Sequence, residues 1–495
     1  MENPDFPELK GTSLDTYFQE ELVALYFYSV RSCPENLLLL EKRFGEVLQV
    51  LEPFVSKYEH FTQLFYNLVL HIRKTGEHDL TYMMIWQWYN YFPNLAKQLM
   101  KKCLSWRDMV YFCNYVSLHM KDRKVIGETL IEYCVRSINE QLVSDMEVWK
   151  FSMHAGSRDH ISNVAKWIPR ENKRFSWLYE LLVLDWIKLV CPYLLQTTTR
   201  SYSYDAAILK GKRLYRKKIT TLNKALQTVQ IKQCSKQVEE IMPYMVSKYT
   251  AMKQPKLRDI SSKNTYYSLG YSGSRELTLP IAYYVKEALN HSESIHEQWT
   301  TFVKKNSFSY RKDIIPILDI SNKIQFESNE SYYTGIGLAL LIAELTSTMR
   351  ILAIGENPIW IKIEPNMSFV ERVLFIHEKC RHYQCSRIDS LIQLIHNYSM
   401  ETGEDFVEKN KAPTFVILSD FSVSIFHGFH EKVSAYCTMF YWNLSSKHSI
   451  ENLVQMNLPC SIHQKNIGLL AGFSFSPMVF ETIDSPYVML EKLLL

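Results

Sequence analysis

The hydrophobic rhythm of this chain changes near residue 314, and that change limits the folds open to it. From residue 14 to about 190, apolar residues recur three and four apart, as in Phe18–Tyr28, Phe44–Phe54, Phe61–Ile72 and Leu80–Tyr91. The spacing continues through Leu95–Leu104, Trp106–His119, Val125–Leu142 and Phe175–Val190, and again in Leu214–Val229, around Val238–Met252 and in Leu279–Leu289. Long helices joined by short links predict antiparallel pairs in a solenoid-like array of α-helical repeats. Past residue 314, apolar runs at Ile314–Leu318, Met349–Ile354, Thr414–Leu418, Cys437–Asn443 and near Ile467–Phe473 read as strands. Helical patterns at Gly335–Thr346, Phe369–Arg381, Ile388–Glu401 and around Ser449–Met456 fall between them. Such alternation predicts a doubly wound, Rossmann-type parallel sheet with helices on both faces. The expected organisation is a helical-repeat region over 1–255, a linker and completing helix over 256–305, and an α/β domain over 306–495.

The chain has 495 residues, enough for two or three domains, and its 47% hydrophobic and 22% charged residues are those of an ordinary globular protein. A net charge of +4 does not by itself imply a nucleic-acid partner, so any such affinity must come from a local patch. Met1 to Lys10 does not read as a signal peptide, and the ten cysteines are scattered without a disulfide framework. Leu178 to Leu195 is lipophilic but carries Glu180, Asp185 and Lys188, so it predicts a buried helix rather than a membrane span. These features lead us to expect a cytoplasmic protein without a membrane partner. The sequence has no phosphate-binding glycine loop, no nucleophile elbow and no His-Glu-x-x-His helix, which favours a binding protein over an enzyme. A hydrolase built on an acidic crevice is the enzymatic alternative.

Two stretches stand out chemically. Lys210-Gly211-Lys212-Arg213-Leu214-Tyr215-Arg216-Lys217-Lys218 holds six cations and a tyrosine in nine residues, which suits phosphate contacts with base stacking. A solvated helix start is the plainer reading of such a run. Arg73, Lys74, Lys166 and Arg170 would extend the patch if the fold brings them to the same face. The second stretch is Ile314-Ile315-Pro316-Ile317-Leu318-Asp319-Ile320-Ser321, an apolar run ending in an acid and a hydroxyl, as a buried strand does where its carboxyl end opens into a functional loop. His377, Cys380, His382 and Cys385 have zinc-ligand identities, but their spacing matches no usual finger and structural thiols and imidazoles are expected. His427 and His430 follow Asp420 without a nucleophile at recognisable spacing, so no catalytic role is assigned to them.

Several segments together resemble the TROVE-plus-von-Willebrand-A architecture of the Ro ribonucleoproteins. The chain is more closely similar to a family of plants, fungi and large DNA viruses with the same layout. The segments are His71-Ile72-Arg73-Lys74-Thr75-Gly76-Glu77-His78-Asp79-Leu80, Trp106-Arg107-Asp108, Ala165-Lys166-Trp167-Ile168-Pro169, Tyr215 through Ile241, and Leu279-Pro280. They continue with Leu318-Asp319-Ile320-Ser321, Gly337-Leu338-Ala339, Ser419-Asp420, Tyr441-Trp442-Asn443-Leu444 and Ala471-Gly472-Phe473-Ser474. The resemblance implies a curved helical region joined to a von Willebrand A-like domain, with RNA as the leading partner, another protein as the rival, and no enzymatic reaction. It also implies a metal-ion-dependent adhesion site in which Asp319, Ser321, Ser386 and Asp420 would hold Mg²⁺ through hard oxygens. Lys323 stands where the pattern has a second serine, and Arg387 adds a further cation. The lysine removes a ligand and supplies an ammonium that can pair with Asp319 or Asp420, so a degenerate site without a metal cofactor is expected. Mg²⁺ or Mn²⁺ should then leave the melting temperature unchanged. A clear rise that disappears in Asp319→Ala would show that an ion is bound.

Overall fold

The computed structural model describes residues 13–29, 34–120, 123–155, 161–196, 204–235, 241, 281–291, 295–306, 314–319, 330–346, 348–354, 358–380, 388–406, 413–419, 429–433, 437–444, 461–463, 465, 467–471 and 484–495. The chain forms two compact units, residues 1–99 with 277–495 and residues 100–276. The α-helices begin with α1 (Leu14–Tyr28), α2 (Pro34–Leu51), α3 (Glu59–Thr75), α4 (His78–Tyr91), α5 (Pro93–Cys103), α6 (Trp106–His119) and α7 (Lys124–Ala155). They continue with α8 (Val164–Trp167), α9 (Ser176–Val190), α10 (Tyr193–Gln196), α11 (Tyr204–Ala225), α12 (Val229–Cys234), α13 (Ile281–Leu289) and α14 (Ile295–Lys305). The α/β part runs β1 (Ile314–Asp319), α15 (Glu330–Leu345), β2 (Arg350–Ile354), β3 (Ile359–Lys362), α16 (Phe369–Cys380), α17 (Ile388–Phe406), β4 (Thr414–Ser419), α18 (Phe429–Val433), β5 (Thr438–Asn443), β6 (Ile467–Ala471) and α19 (Pro486–Leu494). Helices followed by an α/β layer are what the change of rhythm predicts. The expected helices around Val238–Met252 and Ser449–Met456 lie outside the described residues.

The sheet has the order β3-β2-β1-β4-β5-β6. Strands β2, β1, β4, β5 and β6 run parallel, and β4 and β5 are buried along their whole length. Burial on both faces is why these strands are continuous apolar runs rather than alternating ones. The sequence predicts a parallel sheet only; the structure adds β3, paired antiparallel to β2 with Leu352 opposite Trp360. The link from Ile354 to Ile359 is too short for a crossover connection, so this edge strand has to reverse direction. On one face, α13 packs against α15, and Gly337 lets them approach closely: a Cβ there would lie 2.2 Å from Ile281 Cγ2. Beside this contact, Glu344 takes Arg372 Nη1 at 2.8 Å and Trp299 Nε1 at 3.1 Å in a half-buried cluster. Burial raises the Glu344 pKa against the lowering effect of Arg372.

Helix α1 belongs to the same unit as the sheet. Its N-terminus is capped by Ser13, whose Oγ accepts the Thr16 N–H at 3.2 Å. At its other end, three of the carbonyls that a helix leaves without an internal partner are satisfied. The Ser29 hydroxyl donates to Leu25 O, the Ser29 N–H donates to Tyr26 O at 3.3 Å, and Asn443 Nδ2 at the end of β5 donates to Phe27 O at 2.8 Å. The Tyr26 hydroxyl also bonds to the backbone of Ala471 at the end of β6. α1 therefore lies over the carboxyl ends of β5 and β6. A similar amide closes α19, where Asn67 Nδ2 of α3 donates to Leu494 O at 2.8 Å and His60 pairs with Glu491 at 2.7 Å.

The regular elements among the described residues of the unit 100–276 are all helices. Ser105 and Asp108 form a capping box at the start of α6, which accounts for the Trp106-Arg107-Asp108 motif locally. The packing of α7, α9 and α11 converges on the fully buried Asn139. Its Nδ2 donates to Leu182 O and to Asp185 Oδ2, both at 2.9 Å, and its Oδ1 accepts from Tyr215 Oη at 3.0 Å. Arg136 Nη2 completes the set at 2.8 Å from Asp185 Oδ1. Gly211 allows α11 to meet α9, since a Cβ there would come within 2.2 Å of Ile187 Cδ1. The lipophilic stretch from Leu178 forms helix α9, buried along one face through Leu178, Tyr179, Leu182, Val183, Trp186 and Ile187 while Leu181 and Val190 are exposed. Among the described residues no helix is long and apolar enough to cross a membrane.

Asn443→Ala should destabilise the protein by about 1–3 kcal/mol, the range for losing a buried hydrogen bond. Urea unfolding measures this; a midpoint equal to that of the unaltered chain would show that Phe27 O is satisfied in another way.

Candidate nucleic-acid interface and strand-end crevice

In α11 the residues of the basic run divide by helical phase. Ala207, Gly211, Tyr215 and Leu222 form the buried stripe, and Lys210, Arg213, Arg216 and Lys217 are exposed. Lys212 and Lys218 are half-buried. Two of the six cations are already neutralised. Lys212 Nζ lies 2.6 Å from Glu180 and 3.1 Å from Glu171, and Arg216 lies 3.4 Å from Glu171. The Glu180 hydrogen bond, followed by that of Glu171, holds the Lys212 pKa above its ordinary value despite partial burial. Among the described residues, Lys210, Arg213, Lys217 and Lys218 have no carboxylate at ion-pair distance.

The structure brings Lys166 to the same helix. Asn223 Nδ2 of α11 donates to Ala165 O at 3.2 Å, so α8 lies against the end of α11. Glu171 fastens the connection from α8 to α9 at the level of Lys212 and Arg216. That connection is itself basic: Arg170, Lys173 and Arg174 are exposed, and among the described residues they have no carboxylate partner. The surface thus combines the free cations of α11 with those of residues 166–174. Partial burial lowers the Lys166 pKa from its ordinary value. Arg107, Tyr111, Trp167 and Phe175 also contribute to this surface. Sequence reasoning did not single out their side chains, although Arg107 and Trp167 lie inside motifs it quoted. Their signal is tertiary, because Arg107 and Trp167 are 60 residues apart in sequence and meet only when α6 and α8 pack.

Arg73 belongs to the other unit, in the last turn of α3 before Gly76, which closes the helix at φ 93°. Half a turn earlier, His71 packs against the Tyr26 ring at 5.6 Å between centroids. Burial, with Lys74 nearby, lowers its pKa to about 4.

At the sheet, the order of strands reverses between β1 and β4, and in a doubly wound sheet the ligand crevice forms outside the carboxyl ends at that point. Asp319 ends β1 and Ser419 ends β4, and the Ser419 hydroxyl donates to Asp319 Oδ2. One carboxylate oxygen of Asp319 is thereby engaged by a neutral donor. Ser321, Lys323, Ser386, Arg387 and Asp420 lie outside the described residues, so Asp319 alone of the expected ligand set is placed. Of the zinc-type cluster, His377 and Cys380 lie on α16, while His382 and Cys385 fall outside the described residues. His377 Nδ1 is 3.1 Å from the Tyr332 hydroxyl, and burial raises the Cys380 thiol to about 12, which keeps it protonated. His427 also lies outside the described residues, and of His430 only the backbone, in α18, is placed.

No protein-family model matches this chain, and no curated protein matches it.

His71 makes the fold pH-sensitive. It stays neutral in the folded chain down to about pH 4, whereas an ordinary imidazole takes up a proton below about 6.5. The unfolded state therefore binds the extra proton in that window, and stability falls as pH drops from 6.5 toward 4, by about 3 kcal/mol. Denaturant unfolding at pH 7 and pH 4.5 should show this loss, and His71→Gln should reduce it. An equal loss in both chains would assign the pH dependence to other groups.

Proposed function

We propose that this protein is a non-enzymatic macromolecule-binding protein that takes RNA on the basic surface of its 100–276 unit. The observation that carries the reading is the joining of α11 to residues 166–174, through Asn223 and Glu171, into one surface rich in unpaired cations. Phosphates gain most from cations that no carboxylate has already neutralised, and a helix with adjoining loop cations can follow a backbone. The α/β layer is read as a von Willebrand A-like domain. The doubly wound strand order and the acid and hydroxyl at its reversal point support that reading. With Lys323 in the ligand loop, the crevice serves as a docking edge rather than a metal centre. The TROVE-like resemblance points the same way for the helical part. A second reading, a protein scaffold, draws support from Tyr193, Tyr204 and Leu209, large apolar side chains exposed on α10 and α11.

Binding to structured RNA across a salt series tests the proposal. Affinity should fall steeply with salt, and the double substitution Arg213→Glu with Lys217→Glu should make the slope of log K against log salt shallower by roughly 1–2. Weak, salt-insensitive association, unaltered by the substitutions, would favour the scaffold.

A further inference from the structure

Within the 100–276 unit, two rings from separate helices hold one guanidinium. Arg107 Cζ lies 5.3 Å from the centre of the Tyr111 ring on α6 and 5.5 Å from that of Trp167 on α8. Lys166 Nζ sits 5.4 Å from the Trp167 ring. Phe175 meets Tyr111 edge-on at 5.3 Å and carries Arg174 at 5.3 Å. These contacts fix the rings and cations relative to one another, as cation–π pairs do. The cluster is not core: Tyr111 is 37% and Trp167 36% exposed, whereas Tyr179, Trp186 and Tyr215 of the same unit are buried. Among the described residues, Arg107, Lys166 and Arg174 have no carboxylate partner.

The arrangement offers two things together: positive charge for phosphates, and flat ring and guanidinium surfaces on which a base can lie. A duplex keeps its base faces stacked on one another and cannot use such surfaces. An acidic protein segment matches the charge but has no bases to stack. We propose that the Arg107–Tyr111–Trp167 cluster is a stacking site for unpaired bases of single-stranded RNA. The site rests on the RNA reading given above and adds to it a preference for single strands.

The test compares fluorescence anisotropy of a labelled 12-nucleotide single strand with that of a blunt duplex of the same length, on the full chain. The unaltered protein should prefer the single strand. Trp167→Leu should weaken single-strand binding about tenfold, in the range found for loss of one stacked base, and leave duplex binding unchanged. Trp167→Phe, which keeps a flat ring, should restore most of the affinity. If circular dichroism shows that Trp167→Leu does not fold, Tyr111→Leu carries the same comparison. Equal losses on both ligands, or no loss on either while Arg213→Glu with Lys217→Glu weakens both, would overturn the stacking site and leave the RNA reading standing. Displacement by a polyglutamate peptide of equal charge as readily as by unlabelled strand would overturn the site in favour of an acidic protein partner. Absence of binding to both RNAs would overturn the site together with the RNA reading.

Discussion

The hydrogen bond from Asn443 to the carbonyl of Phe27 fixes the relation between α1 and the sheet, and much of the remaining order in that unit follows from it. A helix end has carbonyls without internal partners, and α1 ends where solvent cannot reach Phe27 or the Asn443 side chain that bonds it. A wholly apolar contact there would forgo that hydrogen bond. The amide at the end of β5 supplies a donor there and holds the helix end against the strand ends. Tyr26 then reaches the end of β6, and His71 of α3 fits against Tyr26. α1 occupies the carboxyl ends of β5 and β6, so of the strand ends described, those of β1 and β4 are the pair marked by a side-chain acid and hydroxyl.

The helical unit solves a similar problem with the same residue type. Asn139 bonds two other helices at once, through the Leu182 carbonyl and Asp185 of α9 and Tyr215 of α11. Its position sets the rotation of α11 about its own axis. Tyr215 and Gly211 turn inward, and the same rotation turns Arg213 and Lys217 outward. The basic surface is therefore a product of core packing. Lys212 and Arg216 bond Glu171, and in doing so hold the neighbouring loop cations beside the helix. The six cations of the run thus act in two groups, one binding the protein to itself and the other facing outward.

Much of the fold was legible because it follows from period and burial. The continuous apolar runs of β1, β4 and β5 announce strands buried on both faces, and the spacing in α3, α6 and α9 gives their helices directly. β3 was missed because a four-residue edge strand, with only Ile361 buried, has too short a pattern to separate from a turn. The helices α14 and α19 were also passed over, being short and flanked by polar residues. Asp319 was recognisable from its place at the end of an apolar run, and its Ser419 partner lay in a motif quoted for the resemblance. The clustering of Arg107, Tyr111 and Trp167 was not recognisable, since it depends on how α6 and α8 meet. The role of Asn443 was hidden for the same reason: sequence shows an asparagine ending a strand, not the helix carbonyl that it faces.

The separation between Phe27 and Asn443 has a consequence for biosynthesis. The two residues are 416 positions apart, and a ribosome adding about 5–20 residues per second makes the donor roughly 20–80 s after the acceptor. For most of that interval α1 has left the exit tunnel while its apolar residues and the Phe27 carbonyl lack the partners that β5 and β6 supply. The 100–276 unit, whose contacts close over shorter stretches of chain, is translated entirely within the same interval. Nascent chains of this protein therefore spend most of their synthesis with the apolar run Leu22–Phe27 of α1 short of its final partners, which makes α1 a segment where chaperone capture and early aggregation would concentrate.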